Sequence, residues 1–288
     1  MKTTTSAFPR PGPILAVAAD LLREALSRRW FLALGVAITL VLAGIGLALR
    51  VEVVDGALAA TRLFGSQVGG EIRAVDVALR PVFQAAAYVI FYGGLPFGIL
   101  ACADFGPRLL APGRIEHLLA LPLRRPELLA GTFLGVLLLA SAGALYGAGG
   151  LSLILGIKTG VWTPRPLVAA LLGSATFAAI YGAMLATAVF VRSSALSAAV
   201  GFSLFVAGIV AGQRSGLLAV FDPGVGRQLF ALITLLLPRV SALGGAAGAI
   251  AGSAPVDAGA VGSLLAGLGV FSLATLALAI WRFEQKDY

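Results

Sequence analysis

Charge is missing from long, regularly recurring stretches of this chain. Six segments, roughly 30–49, 82–103, 127–155, 166–191, 195–212 and 261–281, hold no Asp, Glu, Lys or Arg in their interiors. Each is long enough to cross a hydrocarbon core, which takes about 20 helical residues. Inside a bilayer every backbone N–H and C=O must be satisfied within the protein, so segments of this kind cross as helices. The expected class is therefore all-α: a polytopic membrane protein with six transmembrane helices. Composition agrees, because only 12% of the 288 residues are charged, against about 25% for an average soluble domain. The 37 glycines suit helices that approach one another closely. The first span begins too late and runs too long for a cleaved signal peptide.

Residues 1–29 precede the spans and read as a separate cytoplasmic unit, with 30–288 as the transmembrane domain. After the proline-rich lead-in FPRPGP, the run ILAVAADLLREALSRR places Ile14, Val17, Ala18, Leu21, Leu22 and Ala25 at helical spacing. Asp20, Arg23, Glu24 and Arg28 fall mostly on the other side. The pattern predicts an amphipathic helix lying in the membrane interface or bridging to a partner. With both termini inside, the cytoplasmic segments carry twelve basic residues and the outer ones nine, spread over more chain; this favours cytoplasmic termini. The net charge of +8 then belongs to basic loops facing anionic lipid, with no call for nucleic acid.

Two further regions break the simple pattern. Residues 50–81 mix four arginines and four acids with apolar residues, which suggests short amphipathic helices on the outer surface. Residues 227–254 are apolar but interrupted at Pro238–Arg239 and Gly244–Gly245. The piece before Pro238 makes about 17 Å of helix against a core of about 30 Å. A re-entrant or interfacial hairpin on the outer side before the last span is expected; a seventh and eighth crossing is the competing arrangement.

Catalytic signatures are scarce. One histidine, His117, excludes an HExxH zinc site within the chain. Charge-free span interiors offer neither paired carboxylates nor ion-coupling groups. GIKTG at 156–160 lacks the spacing of a phosphate-cradling loop, and Cys102 reads as a small apolar filler. No cofactor or metal is expected in this chain. Gly143/Gly147, Gly208/Gly212 and Gly244/Gly248/Gly252 have the spacing of close helix contacts. Gln84, Tyr88, Tyr92, Ser141, Tyr146, Thr176 and Tyr181 are the polar side chains within spans that can face protein or a pathway.

The most informative segment joins the second and third spans. Within 107–126, Arg114 to Leu121 can form a short helix between Pro112–Gly113 and Pro122, with Ile115, Leu118 and Leu119 on one face and basic residues around it. Such a stub can dock into a groove of a soluble partner and pass on its motion. It can equally be an ordinary basic loop anchored by positive-inside charges.

The run GRIEHLLALPLRRPELLAG (113–131) resembles the characteristic loop of type-two ABC exporter permeases. The resemblance rests on Gly113, Ile115, Leu118, Leu119, Pro122, Arg125 and Gly131. The layout is similar too: an amphipathic N-terminal helix, six spans and a broken outer hairpin before the last. The chain departs from the pattern at Thr132, where Lys is usual, and just before Gly113, where Asp104 is the nearest acid. The resemblance implies a subunit of the bacterial cytoplasmic membrane that pairs with a second permease copy and with a separate ABC ATP-binding subunit. ATP and Mg would be held by that subunit. Gly113, Arg114, Ile115, Glu116, His117, Leu118, Leu119, Pro122 and Arg125 would form the partner-binding coupling loop. The apolar spans suit a lipid-like or amphipathic cargo. Permeases of copper-enzyme maturation are similar in layout, the haem exporter of cytochrome c maturation less so. A non-transporting scaffold that binds an ATPase is the alternative from another class.

Overall fold

The computed structural model describes residues 11–54, 57–63, 66–67, 73–120, 122–220, 222 and 224–286. The chain before Pro11 and the end of the charged tail lie outside them.

Helix α1 (Pro11–Ser27) opens with proline in its first turn, where no intrahelical donor is lost. The chain then turns by 71° into α2 (Arg29–Ala48). Residues 50–81 differ from expectation. Strands β1 (Leu49–Val54), β2 (Ala57–Leu63), β3 (Ser66–Gln67) and β4 (Arg73–Ala74) form a small antiparallel sheet. β2 pairs β1 along one edge and β3 and β4 along the other. Only from Val75 does helix resume. The β-branched alternation of RVEVV suits a pleated ribbon better than an isolated helix.

The second apolar segment is one rod in several pieces. Helix α3 (Val75–Tyr88) passes through a π-turn at Val89–Gly93 into α4 (Gly94–Cys102) and α5 (Phe105–Leu109). After the short α6 (Arg114–Leu119) come the long α7 (Arg125–Thr159), α8 (Arg165–Val191) and α9 (Ser194–Gly212). Helices α10 (Arg214–Val220), α11 (Val225–Leu236) and α12 (Val240–Ala251) precede the final α13 (Ala258–Glu284). Among the described residues five helices can cross a membrane: Leu79–Leu109, α7, α8, α9 and α13. The count rises to seven if the bent pairs α1–α2 and α11–α12 each act as one span. The membrane-crossing part is thus helical throughout, as expected.

Helix α8 is the axis of the bundle. Of its apolar window 61% is buried, against 17–33% for the other four long spans, and α4, α7, α9, α12 and α13 all pack on it. Lipid tails are as apolar as leucine, so this packing is held by close contact and a few hydrogen bonds between helices. Ser197 Oγ donates to the Met184 carbonyl at 3.2 Å and Ser272 Oγ to the Ala178 carbonyl at 3.3 Å.

The 227–254 region breaks at Pro238, where α11 and α12 meet at 59°. The expected second break at Gly244–Gly245 is absent: α12 runs straight through it. These glycines serve packing. A Cβ on Gly248 would lie 2.5 Å from the Tyr88 ring, and one on Gly244 would collide with Tyr92. Gly252 faces Gln84, so the stripe receives Gln84, Tyr88 and Tyr92 of the second span in order. Gly208 and Gly212 likewise meet the first turn of α12, whereas Gly143 and Gly147 face open space.

Candidate coupling site

Helix α7 is 35 residues long, about 52 Å, and so overshoots a hydrocarbon core of about 30 Å. Its first turns are fixed locally. The Arg124 amide donates to Glu127 Oε2 at 2.8 Å, which places an acid where the exposed N–H groups and the helix dipole favour it. Glu127 is buried. One turn further on, Gly131 and Gly135 face α1. A Cβ on Gly131 would sit 2.6 Å from Val17 Cβ and 2.8 Å from the Ile14 carbonyl; one on Gly135 would sit 3.1 Å from Ala18 Cα. Only residues without side chains let the α1 backbone lie this close. Ala18, Leu21 and Ala25 are buried there.

Helix α6 is set beside α1 by a tight turn at Gly113, whose φ of +80° is a conformation that glycine alone adopts without strain. Arg114 reaches Glu24 of α1 with both terminal nitrogens, at 2.5 and 3.2 Å. Arg28 pairs with the same carboxylate and holds its guanidinium 4.6 Å above the Phe105 ring. The hydrogen bond from Arg114 is the largest cause that brings the Glu24 carboxyl down to about 2; burial opposes it and Arg28 adds to the lowering. Glu24 in turn raises Arg114. Beneath the pair lies a cavity of about 180 Å³ between α1, α5, α6 and α7, with Val17, Leu109, Leu118 and Leu128 in its wall and Asp20, Arg108 and Arg114 at charged positions.

The predicted coupling residues divide into two sets. Ile115 is 2% exposed, so its face is covered by this chain without any partner. Leu118 is half-buried against the cavity, and the side chain of Leu119 lies outside those described. Arg114 is engaged by Glu24. Arg125 points elsewhere: its Nη1 donates to the carbonyls of Phe283, Glu284 and Lys286 at 3.3, 3.0 and 2.7 Å, closing the end of α13. Gly113, Glu116, His117 and Pro122 remain exposed. The structure therefore brings together Arg114, Ile115 and Leu118 on an inward face and Glu116 and His117 on an outward one.

Val17 and Glu24, expected on the apolar and polar sides of the amphipathic helix, turn out to be parts of this site, and Gly135 joins them without having been singled out from the sequence. The Gly131–Gly135 spacing was the available signal. Of the polar residues within spans, Tyr146 Oη pairs with Thr39 Oγ1 at 2.7 Å, joining α2 to α7, and Thr176 bonds back to the Leu172 carbonyl at 2.8 Å. Tyr181 is buried between Phe177 and Phe133.

No curated protein matches the chain. A family profile described as ABC-2 family transporter protein matches residues 15–288. That stretch takes in most of α1, the loop bearing α6 and every long helix, so the chain belongs to the ABC-2 family and is an integral membrane component of an ABC transporter.

Proposed function

We propose that this chain is the permease subunit of an ATP-driven exporter in a bacterial cytoplasmic membrane. Two copies, or one copy and a related permease, pair around a shared pathway. Each receives a separate ABC subunit that binds ATP and Mg. On this reading α2 is the sixth span, α1 is an amphipathic helix in the cytoplasmic interface, α11–α12 form an outer re-entrant hairpin, and both termini are cytoplasmic. The observation that carries the reading is the rigid corner made by α6, α1 and the overshooting start of α7. A push on the outward face of α6, at Glu116 and His117, passes through Arg114–Glu24 into α1 and through Ile115 and Leu118 into the bundle. Coupling needs such a connection, because a partner moves a membrane helix only through contacts that differ between its states.

Charge-free span interiors favour an apolar or amphipathic cargo over an ion-coupled solute. The test is purification in mild detergent from cells that express the neighbouring genes. Recovery of a Walker-motif ATPase, with vanadate-sensitive ATP hydrolysis that rises in the presence of an amphipathic cargo, is the expected result. A lone permease with no ATPase would overturn the assignment. An ATPase that binds but whose turnover no cargo alters would favour a scaffold.

A further inference from the structure

Helices α8 and α13 end side by side, at the same end of the bundle as α6. Two basic side chains cap them. Lys286 Nζ donates to the Val189 carbonyl at 2.5 Å and the Phe190 carbonyl at 3.3 Å, at the close of α8. Arg125 closes α13 through the three carbonyls already described. Cations suit helix C-termini, where unpaired carbonyls concentrate negative potential.

Two arginines lie next to them. Arg192 terminates α8 in a left-handed conformation, φ 54°, with its amide donating to the Ala188 carbonyl at 2.8 Å. Arg282 sets its guanidinium 5.5 Å from the Phe190 ring, and its Nε is buried without a hydrogen-bond partner. Both arginines act on Lys286, whose affinity for a proton falls through burial first and then through their repulsion. Three cationic side chains thus meet where α8 and α13 end.

Apolar surface continues directly from this cluster toward the membrane. Leu278 lies one turn before Arg282 on the same face of α13 and is 45% exposed; Phe190 is 43% and Val191 52% exposed. A guanidinium beside exposed apolar side chains matches an amphiphile with a phosphate at its head, since arginine pairs with phosphate oxygens through two donors at once.

We propose that Arg192, Arg282 and Lys286 form a headgroup site for one anionic phospholipid of the leaflet on the α6 side, with its acyl chains lying over Leu278, Phe190 and Val191. The phosphate pairs with the cluster, and the chains lie over the exposed side chains at the ends of α8 and α13. A free phosphate shares the head chemistry but leaves the apolar part uncovered.

The protein in nanodiscs of phosphatidylcholine, with or without phosphatidylglycerol, provides the test. The melting temperature should rise on the order of 3 °C with the anionic lipid. The rise should vanish in the double variant Arg192→Gln, Arg282→Gln and persist in Arg192→Lys, Arg282→Lys. A purely structural role would lower melting equally in both lipids, so the difference between lipids is the quantity read. No difference in the unaltered protein, or a difference that survives in the glutamine variant, overturns the proposal. The same rise from inorganic phosphate in phosphatidylcholine overturns the lipid assignment.

Discussion

Arg114 grips Glu24 with both ends of its guanidinium, 2.5 and 3.2 Å from the two carboxylate oxygens, and so ties the loop after the second span to the helix before the first. Charge-assisted bidentate pairs of this geometry are among the stronger polar contacts. The pair is only partly buried, with 39% and 26% of the two side chains exposed, which tempers its contribution. A double-mutant cycle with Glu24→Gln and Arg114→Gln should give a coupling energy of about 1 kcal/mol. Denaturant unfolding in a fixed detergent measures it, and a value near zero would mean that packing alone positions α6.

Acid should loosen the same corner. The folded-state pKa of Glu24 lies below its ordinary value, so its contribution is present above pH 4.5 and fades as pH falls from 4.5 toward about 2. Hydrogen exchange in α1 should accelerate, beyond the intrinsic pH effect, as pH falls from 4.5 toward about 2. In Glu24→Gln that extra acceleration should be gone; an identical profile in both proteins would remove Glu24 as its source.

Gly131→Leu should pry α1 off α7. Its Cβ would overlap Val17 and the Ile14 carbonyl, and overpacking of this kind costs about 1–3 kcal/mol. Gly143→Ala is the matched control, because nothing lies within 4 Å of its Cβ position. Limited proteolysis should cut near residue 28 in the first variant and not in the second.

Removal of Arg125 should fray the end of α13. Three carbonyls lose their donor together, at a cost of about 1–3 kcal/mol. Faster amide exchange confined to the last turn of α13 in Arg125→Ala is the expected signature. Unchanged exchange there would show that water replaces the guanidinium without loss.

Glu116→Arg and His117→Glu alter exposed positions, so neither should shift the permease's own melting by more than about 0.5 kcal/mol. Both should reduce recovery of the ATP-binding subunit. Loss of recovery with melting unchanged supports docking on the outward face of α6; undiminished recovery of the ATPase from both variants would place the docking surface elsewhere.

Long apolar periods announced α7, α8, α9 and α13 to within a few residues, because a bilayer leaves the backbone one economical way to cross. Other features were legible only in part. The spacing of Ile115 and Leu118 shows that they share a face, but the same spacing serves a face turned toward a partner or toward the chain's own core. Here Ile115 turned inward. Gly244 looked like a break because glycine favours breaks in water; against Tyr92 it makes room. Strand β1 carries a period of two in RVEVV, a signal of a pleated strand that the mixture of charges and apolar residues over 50–81 does not report. The Glu24–Arg114 pair joins positions far apart in sequence, and no local pattern reports such a contact.

The fit between α1 and the Gly131–Gly135 surface also sets an order of assembly. Helix α1 is synthesised long before α7, the helix on which it has its seat. At typical synthesis rates Gly131 appears on the order of ten seconds after Val17. Through that interval the buried side of α1, with Ala18, Leu21 and Ala25, has no groove to enter and must rest on the membrane surface or on a chaperone. Its docking is therefore a late event that follows insertion of α7, so that completion of the corner between α1, α6 and α7 reports that the first half of the bundle has been threaded correctly.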